Sequence, residues 1–235
     1  MGIIRFSDEE VFGVDSTDYD ILHRGVNAIK GVEGAVVEIG TRRGGSAKLI
    51  IDTLVQNSDT SRSMFCIDPY GNIEYSYTNK AASVHYPGKE LEGDPLSTEI
   101  TQPMRLDYTN DMRNRIIPSL YFYAYNAGLN FTFFCLEDTE FFNRYGDGVP
   151  VYDQYKKLEN AYALVFFDGP HDNPGVNREV DFFISRTPVG GIFVFDDIWM
   201  YDHDAVEQKI FAEGFELIEK KQIKASYVRK SIPGK

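Results

Sequence analysis

Residues 35–46 read Ala-Val-Val-Glu-Ile-Gly-Thr-Arg-Arg-Gly-Gly-Ser, and this stretch decides the fold more than any other. The short apolar run from Val36 to Ile39 predicts a strand, and Ser46 stands where a helix is expected to begin. Glycines between a strand and a helix let backbone amides approach a ligand closely. The first turn of the helix adds unpaired N–H donors that suit a carboxylate or a phosphate. The stretch therefore predicts a ligand-binding turn.

The spacing of the glycines argues against two common phosphate sites. The chain lacks the Walker ending Gly-Lys-Ser/Thr, and Gly40, Gly44 and Gly45 miss the dinucleotide spacing G-x-G-x-x-G. Glu38 precedes the first glycine and would repel a phosphate, but it suits a ligand that also carries a positive charge. A zwitterionic amino-acid tail, as in S-adenosylmethionine, fits best. The alternative is a tight turn that binds no ligand.

Three further apolar runs end in acidic residues: Met64–Asp68, Leu164–Asp168 and Gly190–Asp197. Continuous apolar runs bounded by Gly or Pro indicate strands covered on both faces, as in a parallel sheet flanked by helices. Ligands of such sheets lie beyond the carboxyl ends of the strands. The alternation of these strands with helical segments predicts a doubly wound α/β sheet that gathers four acidic strand ends into one site.

Four motifs in this order resemble those of a class I S-adenosylmethionine-dependent methyltransferase. They are Glu-Ile-Gly-x3-Gly-Gly-Ser, Ile-Asp-Pro, Phe-Asp-Gly-Pro-His and Gly-Gly-Ile-Phe-Val-Phe-Asp-Asp-Ile. The most similar branch contains the small-molecule O-methyltransferases, such as the catechol and macrocin-type sugar enzymes, and the resemblance covers about residues 30–230. It implies one Rossmann-like domain over residues 1–235, with a mostly parallel seven-stranded sheet that ends in an antiparallel hairpin. It also implies metal-assisted methyl transfer to a hydroxyl of a sugar, phenol or natural product.

The resemblance assigns residues to the methyl donor. Asp68 would accept the ribose hydroxyls, or it would cap the turn that follows it. Ser46 would bond the methionine carboxylate, and Glu38 would orient the glycine turn and receive the ammonium group through backbone or water. Asp138 and Thr139 fall where the family contacts the adenine amino group, although a helix cap explains them equally well. The predicted donor site comprises Glu38, Gly40, Gly44, Gly45, Ser46, Asp68, Asp138 and Thr139.

Asp168, Asp196 and Asp197 are the predicted metal ligands. Clustered carboxylates repel one another and recruit a cation, and hard oxygen ligands suit Mg²⁺, Mn²⁺ or Ca²⁺. In the resembled branch the matching residues hold Mg²⁺, which lowers the pKa of the substrate hydroxyl. The alternative is an acidic pair that follows the strand in a protein without metal.

The general base is predicted to be His171, three residues past Asp168, where the catechol branch has a lysine. A histidine near its usual pKa is a competent base at neutral pH. Asp172 is the rival candidate. His171 could also be a loop side chain that packs beside Pro170.

The remaining chain is organised around these motifs. Apolar spacing predicts helices near residues 15–31, 46–55, 110–127, 153–160, 173–186 and 205–213. Pro118 is expected to bend the third of them or to mark a junction in it. Residues 70–105 are aromatic-rich and aperiodic, which indicates a lid or substrate wall, or an insertion without a role. The acceptor pocket is predicted to be lined by Trp199, Tyr201, Asp202 and His203.

The charge composition of the chain indicates which classes of partner to expect. The 24 Lys and Arg residues against 36 Asp and Glu residues give a net charge of −12, which disfavours nucleic acid and anionic membranes. The chain has no run of 18 apolar residues and no signal-peptide pattern at its start, so a cytoplasmic protein is expected. Cys66 and Cys135 are predicted core residues. The partner is expected to be a small-molecule hydroxyl compound, and a homodimer is left open.

Two other functions stay open at this stage. The same fold supports other enzymes, including hydroxylase-like relatives. A protein that binds S-adenosylmethionine without turnover is the second alternative, because the branch lysine is absent at His171.

Overall fold

The structure, a computed structural model, describes residues 11–14, 16–71, 109–153 and 155–234. Its elements in chain order are α1 (Tyr19–Ala28), β1 (Ala35–Ile39), α2 (Gly45–Gln56), β2 (Ser63–Ile67), α3 (Asn110–Asn126), β3 (Asn130–Phe134), α4 (Asp138–Arg144), β4 (Val149–Asp153), β5 (Tyr155–Glu159), β6 (Tyr162–Phe167), α5 (Asn173–Ile184), β7 (Ile192–Phe195), α6 (His203–Ala212), β8 (Phe215–Lys220) and β9 (Ala225–Arg229).

Seven of these strands form one sheet in the order β3-β2-β1-β6-β7-β9-β8. The first five are parallel, whereas β9 runs antiparallel to both β7 and β8. The predicted doubly wound sheet with a terminal antiparallel hairpin is confirmed. Strands β4 and β5 form a separate two-stranded hairpin.

Helices cover both faces of the sheet, which is why β1, β2 and β6 are buried at every position. Alternate residues of β1 enter different cores because side chains of a strand alternate between its faces. Val36 packs with α1, α2 and α3, for example through Leu22 and Leu120. Val37 packs on the other face with α4, α5 and α6, for example through Phe183.

The sheet order reverses between β1 and β6, and this switch point brings the acidic strand ends together. The Asp168 N–H donates to the Ile39 carbonyl at 3.0 Å, and the Asp196 N–H donates to the Phe167 carbonyl at 2.9 Å. The Asp68 N–H donates in the same way to the neighbouring strand β3. All these acids therefore lie at the carboxyl edge of the sheet.

Two local predictions are wrong. Residues 155–159, predicted to be helical, are strand β5, because β4 offers them an antiparallel partner whose Val149 and Val151 reach the core. Cys135 is exposed, since it follows the edge strand β3 and has no neighbouring strand to cover it, whereas Cys66 is buried as predicted.

Helix α3 continues through Pro118 without ending there. Asp15 and residues 72–105 of the predicted lid lie outside the described residues. None of the helices in the described part of the chain combines the length and the apolar character needed to cross a membrane.

Candidate active site

Gly40 and Gly44 give the turn after β1 its shape. Both have a left-handed backbone, with φ of 83° and 76°, which glycine adopts without the steric cost that other residues have. A Cβ atom at Gly40 would lie 1.8 Å from the Asp168 carbonyl oxygen. The glycine at position 40 is therefore required by the approach of the neighbouring strand end, whatever ligand the turn binds.

Asp68 holds this turn from the side of β2. Its Oδ2 accepts the N–H groups of Thr41 and Arg42 at 3.0 and 2.9 Å, and its Oδ1 accepts the Tyr70 N–H at 3.0 Å. Burial raises the pKa of Asp68 to about 6, against the opposing effect of these hydrogen bonds. The turn-capping alternative is thus realised. Ribose binding by the same carboxylate stays a prediction, since Oδ1 accepts one of these bonds and can accept a further one, whereas Oδ2 already accepts two.

Residues 11–14 lie against the start of α2. The Phe12 N–H donates to the Arg43 carbonyl at 2.8 Å, and a Cβ at Gly45 would lie 2.5 Å from the Gly13 carbonyl oxygen. Ser46, in the first turn of α2, is buried beside them. The predicted site for the amino-acid tail is therefore lined by this N-terminal segment as well as by the glycine turn.

Glu38 is buried inside β1, on the sheet face that α1 and α2 cover. The Cys66 thiol donates to its Oε2 at 3.2 Å. Burial and the Glu38 charge together raise the pKa of the Cys66 thiol well above its usual value. The role of Glu38 in orienting the glycine turn stays a prediction.

His171 lies between two carboxylates at the ends of β6 and β7. Its Nε2 is 3.7 Å from Asp197 Oδ2 and 4.0 Å from Asp168 Oδ1. Burial holds the pKa of His171 below its usual value, although Asp197 and Asp196 oppose this effect. Burial likewise raises the pKa of Asp168 well above its usual range, and Asp196 adds to the rise. A neutral imidazole at neutral pH is the consequence, and it can accept a proton.

Asp197 is held in an unusual backbone conformation, with φ of 46°. Its Oδ1 accepts the indole N–H of Trp199 at 3.2 Å, which leaves Oδ2 facing His171. Burial raises the pKa of Asp197, and His171 lowers it. Non-glycine residues in this region of backbone space cluster at functional sites.

Asp196 is committed to a different partner. Its Oδ2 lies 2.7 Å from the ammonium of Lys224, and the two side chains are 1% and 0% exposed. The hydroxyl of Ser16 donates to the same oxygen at 3.0 Å and accepts a hydrogen bond from Lys224. Asp196 Oδ1 accepts the N–H of Asp197 at 2.8 Å. Every oxygen of this carboxylate therefore has a protein partner.

The predicted metal site does not fit this arrangement. The three carboxylates do meet at one sheet edge, but Lys224 pairs with Asp196 and takes the place of a shared cation at that carboxylate. Across the ranges that the structure describes, no group of three or more His, Cys, Asp or Glu side chains is placed to hold a metal ion. Metal binding by Asp168, Asp196 and Asp197 stays a prediction from the resemblance.

Asp172, the rival base, is the N-cap of α5, where its Oδ1 accepts the Gly175 N–H at 2.7 Å. This contact fixes the carboxylate at a helix start. The geometry therefore favours His171 over Asp172 as the proton acceptor.

Asp138 is the first residue of α4, and the cap is the preceding Glu137, which forms a capping box with Glu140. Asp138 Oδ1 accepts the Thr139 N–H at 2.7 Å. Its Oδ2 is buried and has no hydrogen-bond partner among the residues described. A buried acceptor of this kind fits an amino group such as that of adenine.

The predicted acceptor loop is mostly turned inward. Tyr201 and His203 are buried, and Asp202 caps α6 by accepting the Ala205 N–H at 3.0 Å. The His203 Nε2 lies 2.7 Å from the Tyr227 hydroxyl, and burial lowers the pKa of His203 to about 4. Of the four predicted residues, only Trp199 remains exposed.

Sequence reasoning missed Lys224 and Glu179. Glu179 lies at a core position of α5 beside Val176, Val180 and Phe183, and this polar break in an apolar pattern was a usable signal. Lys224 directly precedes β9, the strand that pairs with β7. Only the strand order places it beside Asp196.

Comparisons with known proteins agree with this fold. A family model described as a methyltransferase domain matches residues 37–198. No curated protein matches the sequence.

Three solved structures illustrate the likeness. The O-methyltransferase NovP is 19% identical, with 91% of this chain and 79% of that chain covered and a TM-score of 0.57. The calicheamicin methyltransferase CalS11 is 12% identical, with 89% and 77% covered and a TM-score of 0.58. TomG from Streptomyces achromogenes, an O-methyltransferase in complex with S-adenosylmethionine, is 10% identical, with 94% and 82% covered and a TM-score of 0.52.

At these sequence identities the solved structures show only the fold. The family model, in contrast, shows that the chain belongs to the family. The model spans the glycine turn, the acidic strand ends and His171. The chain therefore belongs to the methyltransferase domain family and has the class I fold of S-adenosylmethionine-dependent methyltransferases.

Proposed function

We propose that this protein transfers a methyl group from S-adenosylmethionine to a hydroxyl of a small molecule. The observation that carries the proposal is the position of the His171 imidazole, whose Nε2 lies 4.0 Å from Asp168 and 3.7 Å from Asp197 at the sheet edge that the glycine turn also reaches. The names of NovP and TomG as O-methyltransferases support the choice of a hydroxyl acceptor. The net charge of −12 supports a small molecule over nucleic acid.

The proposal puts the donor along the switch point of the sheet. Ser46 and the start of α2 would hold its carboxylate, because a helix N-terminus attracts an anion. Asp68 would accept the ribose hydroxyls. Asp138, whose Oδ2 is buried without a partner in the described structure, would accept the adenine amino group together with Thr139.

The donor, when bound, supplies a methyl carbon on a sulfonium centre. His171 Nε2 would take the proton of the acceptor hydroxyl, whose oxygen would then receive the methyl group. The imidazolium that forms is stabilised by the carboxylates of Asp168 and Asp197. A positioned base of this kind contributes about 10²–10⁴ to the rate.

Divalent-metal assistance by Mg²⁺, Mn²⁺ or Ca²⁺, which the resemblance implies, is the alternative form of this proposal. It requires Asp196 to exchange Lys224 for the ion, and the contact between them argues against such an exchange. A metal titration distinguishes the two forms.

Calorimetry with S-adenosylhomocysteine and a transfer assay with methyl-labelled donor on a panel of sugars and phenols test the proposal. Binding together with labelled methyl ether products is the expected result. Binding without transfer to any acceptor would indicate a protein that binds S-adenosylmethionine without turnover. The absence of binding would refute the proposed donor site. Cytoplasmic location and a homodimer stay predictions, which fractionation and light scattering would test.

A further inference from the structure

Three acidic residues lie at the adjacent ends of β6 and β7: Asp168, Asp196 and Asp197. Like charges at close range destabilise one another unless a cation or a proton neutralises them. The chain itself supplies a cation at this point, the ammonium of Lys224, at 2.7 Å from Asp196.

Lys224 is built into the site and does not reach it from the surface. Its side chain is wholly buried, its ammonium also contacts Ser16, and it lies 5.1 Å from the centroid of the Tyr19 ring. A buried ammonium is tolerated only when paired and hydrogen-bonded, and both conditions hold here.

The backbone around Lys224 fixes this position. The Lys224 carbonyl accepts the Lys221 N–H at 2.8 Å, and the preceding Ile223 carbonyl accepts the Ile198 N–H at 3.1 Å. The second of these bonds ties the turn before β9 to the residues that follow Asp197. The main chain from which the Lys224 side chain reaches Asp196 is therefore held beside the end of β7.

We propose that Lys224 stands in for the divalent cation of this site, so that the protein holds its acidic strand ends together without a metal ion. The inference rests on the proposed methyl transfer for its functional meaning. Because Lys224 neutralises the charge of Asp196, the carboxylates of Asp168 and Asp197 remain available to interact with His171. Lys224 is a positioning residue in this scheme, because it acts on the reaction through the carboxylates.

Binding of Mn²⁺, followed by the paramagnetic resonance signal of the free ion, tests the inference without donor or acceptor. Wild-type protein is expected to show no stoichiometric site up to millimolar Mn²⁺. A stoichiometric wild-type site that Asp197→Asn abolishes would overturn the inference.

Removal of the Lys224 ammonium should create a binding site for the divalent cation that it replaces. Lys224→Gln is expected to bind Mn²⁺ at least about tenfold more tightly than wild type, and added Mn²⁺ should raise its melting temperature. Lys224→Arg should behave as wild type, because it keeps the charge. Lys230→Gln, which removes an exposed lysine beyond β9, is the matched control and should gain no site.

A folded Lys224→Gln protein that gains no Mn²⁺ affinity would contradict the inference. If this variant does not fold even with Mn²⁺, the Mn²⁺ titration of the wild-type protein alone decides whether the inference holds. Failure of S-adenosylhomocysteine to bind would instead refute the proposed function. It would not affect the result of the Mn²⁺ binding experiment.

Discussion

The carbonyl oxygen of Asp168 occupies the space in which a side chain at Gly40 would begin, 1.8 Å from the position of its Cβ. The Asp168 N–H also donates to the Ile39 carbonyl. The turn proposed to bind the donor and the strand end proposed to carry the chemistry are thus joined through their backbones. A change at Gly40 should therefore affect both.

Gly40→Ala should destabilise the protein by at least about 2 kcal/mol, because it combines a left-handed backbone with a clash against the main chain. Gly31→Ala is the matched control, since Gly31 has nearly the same φ, 82°, and nothing within 4 Å of its Cβ position. Urea unfolding measures both variants. An equal loss in the two would show that the contact with Asp168 costs nothing.

The affinity for S-adenosylhomocysteine should fall in acid if Asp68 binds the ribose as a carboxylate. The pKa of Asp68 is about 6, so most of the group is protonated at about pH 5, and the affinity should be about tenfold lower there than above neutrality. Asp68→Asn should bind weakly and lose most of this dependence. Calorimetry at both pH values measures it, and a variant that binds as wild type would exclude the ribose role.

His171→Gln should lower methyl transfer by about 10²–10⁴ and leave the donor affinity nearly unchanged, because the base acts after the donor is bound. Since burial lowers the pKa of His171, wild-type activity should reach its plateau below the usual range of histidine titration. His23→Gln, on α1 and hydrogen-bonded to Thr53, is the control. Equal turnover in both variants would assign deprotonation elsewhere.

Glu179→Gln should stabilise the protein at alkaline pH. Burial raises the pKa of Glu179 well above its usual value, and neither carboxylate oxygen has a hydrogen-bond partner among the residues that the structure describes. The native state therefore keeps a proton that the unfolded chain releases. Wild-type stability should fall as pH rises above the unfolded pKa of 4.5, by up to about 1.4 kcal/mol per pH unit, until the native group ionises.

The Gln variant cannot release this proton, so its unfolding free energy should decrease less between about pH 5 and about pH 8. Asp181→Asn is the matched control on the same helix, because its side chain is 66% exposed. Urea unfolding across this range measures all three proteins. Parallel pH profiles for wild type and Glu179→Gln would show that Glu179 does not titrate as its burial implies.

The central sheet could be predicted from the sequence because strands β1, β2, β6 and β7 are continuous apolar runs, and their burial on both faces demands that composition. The hairpin of β4 and β5 could not be predicted, since β5 is solvent-exposed along most of its length and owes its conformation to the partner strand. Local pattern carries no information about such a partner.

The site could be predicted only in part, again because a local sequence pattern does not reveal partners that are distant in the sequence. The strand-end acids and His171 were found because each follows an apolar run, and their positions at one edge follow from parallel strands. The pairing of Asp196 with Lys224 depends on the register between β7 and β9, in which Phe195 lies opposite Ala225. No local feature of residues 221–225 encodes that register.

The hydrogen bond between Ser16 and Asp196 joins residues 180 positions apart in sequence. Lys224, which bonds to both, lies still further along the chain. All of residues 16 to 224 must therefore be synthesised before this corner of the site can form, however early the first helices fold. Contacts of such long sequence separation slow folding. Newly made chains should consequently acquire the native contacts of Asp196 only after Lys224 has left the ribosome, later than the protection of α1 and α2 from hydrogen exchange.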